Sequence, residues 1–532
     1  MVYLQSSKFS GALVLDNMFP KKVRAAVGIT LNLALALLCL LAGYIFLHEK
    51  LQVFLALPIP ALSVPFARVI GAVLLLSGIR LVFFALESFY RAQTYDYSGD
   101  STSELILPRL TYPATDVWYT AAGSVLGMEH ITIHELANAL AYSETGKNTL
   151  LRLGISPADY IAGIAHAGTA DRRPNESALV RLSSFAGGKQ SSTQQISISD
   201  ILLFLFETDE RVHSFLLGRQ IRKEDLLGTG QWIEHARARE DRKKRWWIRE
   251  NLGRIQGIGK NWSYGYTVFL QQFVQPLHRA AAQHELIGKA REIELLEAAL
   301  RKTNGANVMI IGEPGIGKRT VLEGLADLIA EGKVFPDLEH KQVLELSVGQ
   351  VLGAGKTKGE TEALLLRILG EASAAQNIIF AIDDFPEFVE SLEHLGIAPG
   401  TLFDPYLENS RLHIVALGTV TSFRRILEQE KGLVSEFTQI ELMEPALPEL
   451  IAIIRDLVPL VEQSLHHRVI ITYPALAAIA DGVEHYLLSG GGAPERAVNL
   501  LQEVAQESVS QQHAFCTRET VLEYVQKKTH IP

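Results

Sequence analysis

An apolar run that breaks into a glycine-rich loop and then opens a helix, NVMIIGEPGIGKRT from Asn307 to Thr320, sets the terms for the rest of this chain. Val308, Met309, Ile310 and Ile311 have the unbroken apolar character of a buried parallel strand. Gly312, Gly315 and Gly317 let the next turn bring its backbone amides against an anion. Gly312 followed by four residues and then Gly317-Lys318 fits the P-loop spacing, in which amides and a helix N-terminus hold phosphates and the lysine reaches the outer ones. The candidate phosphate-binding set is therefore Gly312, Glu313, Pro314, Gly315, Ile316, Gly317, Lys318, Arg319 and Thr320. One position departs from the pattern. A Ser or Thr should follow the lysine to hold magnesium, but Arg319 stands there, with Thr320 one residue late and about 100° further round the helix. A glycine-rich turn between any strand and helix is the plainer reading; strand, loop, lysine and amphipathic helix in that order favour a nucleotide.

A chain of 532 residues exceeds one core and implies roughly two to four domains. The formal net charge of -9 gives no support to a general nucleic-acid binder, so no nucleic-acid partner is expected. Two cysteines, Cys39 and Cys516, leave no disulfide framework and point to a reducing compartment. The 48% hydrophobic content directs attention to membrane segments. Ala25 to Leu47 carries no charge and has the length of a membrane-spanning helix, about 20 residues or slightly more. A second apolar region runs from Val64 to Phe89, interrupted by Arg68, Arg80 and Glu87, and Pro58, Pro60 and Pro65 between the two suit a hairpin connection. A cleaved signal peptide is the alternative, disfavoured by the length of the first run and by the second region. Lys8, Lys21, Lys22 and Arg24 before the pair and Arg91 after it put both ends in the cytoplasm. The expectation is a multi-pass cell-membrane protein with a cytoplasmic segment at 1–22, a two-helix transmembrane hairpin at 23–89 and a nucleotide site facing the cytoplasm.

Residues 101–230 contain an internal repeat. ITIHELANALAYSETGKNTLLRLGISPADY from Ile131 lies over ISISDILLFLFETDERVHSFLLGRQIRKEDL from Ile196, and each copy passes from Ile-x-Ile to a helix and then a second short helix. A two-fold helical bundle made by duplication is expected. His130 and His134 beside Glu135 invite a metal reading, but no further ligand motif accompanies them, and capping or surface roles explain them. Residues 231–285 read as a linker in which Trp232, Trp246, Trp247 and Trp262 are interleaved with Arg242, Lys243, Lys244, Arg245, Arg249 and Arg254. That composition suits a membrane surface or interdomain packing better than single-stranded nucleic acid.

From Leu286 strands and helices alternate, as a P-loop α/β domain requires. Gln342 to Val348 reads as one strand, and Asn377 to Ile382 as another ending in Asp383 and Asp384. An acidic pair there suits a Walker B, with Asp383 positioning magnesium and Asp384 polarising the attacking water. Arg411 to Gly418 is the next strand, and Pro445 to the end is helical. These residues resemble the Clp-type AAA+ unfoldases, specifically their first ATPase module. The resemblance is carried by LIGKAREIELLEAAL (Leu286 to Leu300), IGEPGIGK (Ile311 to Lys318), IIFAIDD (Ile378 to Asp384) and LHIVALGTVTSFRR (Leu412 to Arg425). It implies a multidomain fold: an all-α duplicated N-terminal-like domain at 101–230, a large α/β P-loop AAA+ subdomain at 286–444 and a small helical subdomain at 445–532. ATP and Mg2+ are the implied cofactors, Thr419 falls near the first sensor position, and Arg496 falls where the second sensor lies. Protein substrates or an active AAA+ relative are the implied partners, in a homo- or hetero-oligomeric ring, alongside the membrane.

The sequence departs from the family at four further places. Ser435 and Glu436 precede Phe437 where paired arginines would reach the neighbouring subunit's ATP. Thr357 stands between Lys356 and Lys358 where an aromatic would grip substrate. The second Walker B acid is Asp384, one methylene shorter than glutamate, with Glu387 nearby. Two readings follow: an ATP-driven protein unfolding, remodelling or quality-control machine at the membrane, or a hydrolytically weak nucleotide-binding scaffold or regulator of an active relative. A nucleic-acid motor rests on the linker's charge alone.

Overall fold

The computed structural model describes residues 110–123, 131–166, 196–244, 267–277, 288–302, 305–355, 357–408, 411–486 and 491–529, with the single residues Leu182 and Leu252. The chain divides into two compact units, residues 1–150 with 155–234, and residues 151–154 with 235–532.

The N-terminal helices are α1 (Tyr112–Gly123), α2 (Ile133–Tyr142), α3 (Glu144–Arg152), α4 (Pro157–His166), α5 (Ile198–Thr208), α6 (Glu210–Gly218) and α7 (Lys223–Lys244). The same chemistry starts helices α2 and α5. Thr132 accepts from the Glu135 amide while the Glu135 carboxylate accepts from the Thr132 amide; Ser197 and Asp200 repeat the exchange. Each reciprocal cap satisfies two N–H groups that a helix start leaves open and is worth about 1 kcal/mol. Ile131 and Ile196, just ahead of the caps, are buried, and so are Leu136, Leu140, Ile201, Phe204 and Leu205 on the helices themselves. Glu234 accepts from Thr111 Oγ1 (2.5 Å) and from the Ile198 amide (3.0 Å), and burial pushes its carboxyl pKa up. His134 is exposed, with Nε2 3.4 Å from the Asn138 amide nitrogen; His130 lies outside the described residues.

The larger unit is built on a six-stranded sheet: β1 (Val274–Pro276), β2 (Asn307–Ile311), β3 (Gln342–Leu346), β4 (Ile378–Ile382), β5 (His413–Gly418) and β6 (Phe437–Glu441), in the order β1-β3-β4-β5-β2-β6. All neighbours are parallel except β1 on β3. β1 falls in the stretch read as linker; it is a short edge strand, the only part of a ladder where Pro276 is tolerated. β3 stops at Leu346 because α10 (Val348–Ala354) begins just beyond it. Helices α8 (Ala290–Leu300), α9 (Lys318–Glu331), α11 (Lys358–Ala375), α12 (Phe385–His394), α13 (Pro399–Leu407), α14 (Val420–Gln429) and α15 (Lys431–Ser435) complete the layers. Successive side chains of β2 serve opposite faces. Met309 and Ile311 join the core with Phe380, Phe385 and Phe403, while Val308 and Ile310 join the core with Leu322, Leu325 and Ile379. Beyond the sheet, α16 (Leu447–Ser464), α17 (Tyr473–His485), α18 (Ala493–Ser510) and α19 (Arg518–Thr529) pack as a helical lid with the parallel pair β7 (Ile470–Ile471) and β8 (Phe515–Cys516).

The expected fold class is corrected in one respect. Among the described residues no helix is long and apolar enough to cross a membrane, so the described architecture is α/β with helical parts and the expected transmembrane hairpin is no part of it. Residues 23–89, on which that expectation fell, lie outside the described residues, as do Trp246, Trp247 and Trp262. The expected placement as a multi-pass protein of the cell membrane is withdrawn with it. The apolar runs meet a length criterion for spanning, but length and hydropathy are necessary conditions and not sufficient ones.

Two side chains at the bottom of the sheet are buried and polar. Asn307 donates from Nδ2 to the Leu407 carbonyl (2.9 Å) and accepts from the Ile414 amide at Oδ1 (3.2 Å), tying α13 to β2 and β5. Replacing Asn307 with Ala leaves both backbone groups buried without that partner, and chemical denaturation should show a loss of about 2 kcal/mol or more. His413, at the start of β5, is held by burial, and secondarily by Lys341, to a pKa of about 4 against an ordinary 6.5. Its neutral form is the one the fold accepts. The unfolded chain takes up this proton near pH 6.5 and the folded chain only near 4, so stability should fall as pH drops through that window. His413→Gln, which cannot titrate, should give a shallower decline in a pH series of denaturation midpoints.

Candidate nucleotide-binding site

The loop after β2 is held at both ends by backbone geometry. The Gly312 amide donates to the Gly418 carbonyl (3.2 Å), extending the β2–β5 ladder by one step. Gly317 enters α9 with φ of 100° and Gly315 bends the loop with φ of 74°, both in the left-handed region that a side chain resists. Ile316 turns inward and is buried. Gly317 brings no side-chain cap to the start of α9, so the first-turn N–H groups, with the positive end of the helix dipole behind them, face the loop's concavity. Lys318 Nζ folds back over the loop and donates to the Gly312 carbonyl (3.0 Å) and the Glu313 carbonyl (3.1 Å).

Strand β4 brings its acids to the same end of the sheet. Asp384 starts α12 at φ of 46°, and its amide donates to Asp383 Oδ1 (3.0 Å). Desolvation, then repulsion from Asp383 and Glu387, raises the Asp384 carboxyl pKa above the ordinary carboxylate value, with Lys318 opposing the shift. Lys318, Asp383, Asp384 and Glu387 thus share one electrostatic neighbourhood. Thr419, at the end of β5, caps α14: its hydroxyl accepts from the Ser422 amide (3.1 Å) and lies 2.8 Å from Ser422 Oγ and 3.0 Å from Thr421 Oγ1. Arg496 is on α18, where its Nη2 lies 3.3 Å from Glu444 Oε1, an oxygen that also accepts from the Ala493 amide (3.0 Å).

The lid meets the loop through glycines. The Gly492 amide donates to the Pro314 carbonyl (2.7 Å), and a Cβ on Gly492 would stand 3.0 Å from the Ile316 nitrogen. A Cβ on Gly315 would stand 1.9 Å from Glu495 Oε2, so this carboxylate packs directly on the bare backbone of the loop.

Arg319 leaves the loop in a different direction. Its Nη2 pairs with Glu345 Oε2 on β3 (2.7 Å), and its Nε lies 3.5 Å from Glu323 Oε1 one turn along α9. Glu345 is buried, and desolvation raises its carboxyl pKa, with Arg319 opposing and Asp383 and Glu323 adding to the shift. The residues present do not fit a magnesium ion here. A guanidinium takes the place of the hydroxyl ligand, and among the described residues no group of three or more His, Cys, Asp or Glu is placed to hold a metal. Thr320 does not make up the loss: its Oγ1 lies beside Gly317, 3.7 Å from where a Cβ there would sit.

Two family positions have local structural jobs. Thr357 caps α11, accepting from the Glu360 amide (3.3 Å). Ser435 Oγ donates to the Gly432 carbonyl (2.6 Å) and Glu436 ends α15 ahead of β6. Sequence reasoning missed Glu345, Glu323, Glu444 and Glu495. Glu345 carried a usable signal: an acid inside an otherwise apolar strand needs a buried partner. The other three sit in ordinary amphipathic helices and turns, with nothing to mark them.

No protein-family model matches the chain. Among curated proteins it is 34% identical over 241 residues to the chaperone protein ClpB of Vibrio vulnificus, covering 44% of this chain and 28% of ClpB. It is 31% identical over 247 residues to a homolog of the Clp protease ATP-binding subunit ClpA from Guillardia theta, covering 45% of this chain and 29% of that protein. Among solved structures, a chain of the S. cerevisiae Hsp104:casein complex aligns with a TM-score of 0.45 and 25% identity, over 50% of this chain and 46% of that one. The chain spans under a third of the length of these curated relatives. The sequence identity, falling on a chain with this loop, this strand order and this helical lid, makes the chain homologous to the Clp-type AAA+ chaperones over the aligned part.

Proposed function

We propose that the chain binds ATP in the loop from Gly312 to Lys318 and serves as a Clp-like AAA+ subunit in protein unfolding, remodelling or quality control, within a homo- or hetero-oligomeric ring. The observation that carries this reading is the loop itself: an ammonium laid across two loop carbonyls at the head of α9, with the acids of β4 in the same neighbourhood. Phosphate oxygens are better acceptors for Lys318 than neutral carbonyls, and the uncapped amides of α9 add donors that need no side chain. Homology to ClpB and ClpA supports the assignment to protein substrates.

A second reading, a hydrolytically weak scaffold or regulator of an active relative, is favoured by specific contacts. Attack on a γ-phosphate needs an oriented water and compensation of charge at the transferring group. Asp384, the acid proposed for the water, has a side chain one methylene shorter than the usual glutamate, which shortens its reach. The Thr419 hydroxyl is engaged by its own helix cap. Arg319 is paired with Glu345, Arg425 with Glu390, and Ser435 and Glu436 present no cation to a neighbour. The two readings agree on binding and part on turnover.

Lys318→Ala should weaken ATP binding by about tenfold or more in a fluorescence titration, through loss of charge-assisted contacts. Equal affinity in that variant would remove the loop from the binding site. Wild-type steady-state ATPase should be low, and Arg319→Thr combined with Ser435→Arg and Glu436→Arg should raise it about tenfold or more. High turnover by the unaided wild-type chain would select the active-machine reading over the regulator.

A further inference from the structure

We propose that this site takes its nucleotide as the metal-free polyphosphate, because Arg319, paired with Glu345, replaces the hydroxyl that would hold a divalent cation. The inference rests on the ATP-binding reading above and narrows it to one chemical form of the ligand.

The argument starts from the second residue of α9. A hydroxyl there would offer a neutral oxygen to a cation; Arg319 offers a fixed positive charge that a cation at the same place would have to displace or tolerate. The guanidinium is not loose. Glu345 Oε2 holds Nη2 at 2.7 Å from the floor of β3, and Glu323 Oε1 stands 3.5 Å from Nε. Asp383 acts electrostatically on the same Glu345 carboxyl. One guanidinium therefore sits between acids from two elements, α9 and β3, and the second of these also feels Asp383 at the end of β4.

Removing that arginine to admit a metal would uncover Glu345, a carboxylate that is 9% exposed and paired by Arg319. A buried carboxylate without a cation is costly, so the pair is a coupled replacement and not a single drifted side chain. Arginine also suits the ligand. Its guanidinium carries five N–H donors in a planar fork, more than these two contacts use, and it stays charged at every physiological pH. With Lys318 at the loop and the α9 N-terminus beneath, the positive groups that face a polyphosphate all come from the polypeptide.

The test is a titration of the full chain with a fluorescent ATP analogue, once in excess Mg2+ and once in EDTA, read as affinity and not as turnover. The wild type should differ by less than about threefold between the two. Arg319→Thr with Glu345→Gln, which restores a hydroxyl and removes the orphaned acid, should bind about tenfold or more weakly in EDTA than in Mg2+. Arg319→Lys, which keeps the charge, should stay insensitive to EDTA and guards against a double variant that fails to fold. A wild-type loss of more than about threefold in EDTA would overturn this inference while leaving ATP binding intact. An unaltered EDTA response in a folded double variant would remove Arg319 from the role. Absence of binding in either buffer would instead overturn the ATP-binding reading itself.

Discussion

Strand β2 is hydrogen-bonded along both edges, to β5 on one side and β6 on the other, and buried on both faces. Nothing in this unit can shift β2 without breaking two ladders and two cores. Its C-terminal end is further pinned where the Gly312 amide meets the Gly418 carbonyl and the Leu442 amide meets the Ile311 carbonyl (2.8 Å). Its other end is held by Asn307, whose side chain bridges α13 and β5. The loop after β2 is therefore a fixed template, and the positive φ at Gly315 and Gly317 is imposed by a frame that does not yield.

Charge is then distributed around that template. Lys318 lies on two loop carbonyls and Arg319 pairs with Glu345 of β3 and Glu323 of α9. Glu444, between β6 and α16, performs a related task, accepting from the Ala493 amide and from Arg496. Positions that would report on the phosphates in the family are thus occupied by local partners here.

The lid adds a steric condition. Gly491, Gly492 and Gly315 let two backbones and the Glu495 carboxylate approach more closely than side chains would permit. Small residues on both sides of one contact indicate that close approach is itself the constraint, since no hydrogen bond from a glycine side chain exists to be kept.

Much of the fold was legible in the chain because it rests on local periodicity. Four consecutive apolar residues before Gly312 dictate a strand buried on both faces, and the loop spacing dictates the turn into α9. Two helix starts were legible for the same reason: Thr132 with Glu135, and Ser197 with Asp200, are signals that operate over three residues. The apolar runs at 23–89 show the limit of such reading, since hydropathy records a preference for burial without saying what does the burying. β1 was missed because three residues at an edge carry no period, and its pairing with β3 is a contact across some seventy positions. The P-loop glycines, Lys318 and the acids after β4 were thus determined by the sequence itself, through spacing and residue type. That Arg319 turns to Glu345 and that Glu444 holds Arg496 were decided only by tertiary structure, because an ion pair is chosen by which distant carboxylate the packed sheet and helices bring within about 3 Å of the cation.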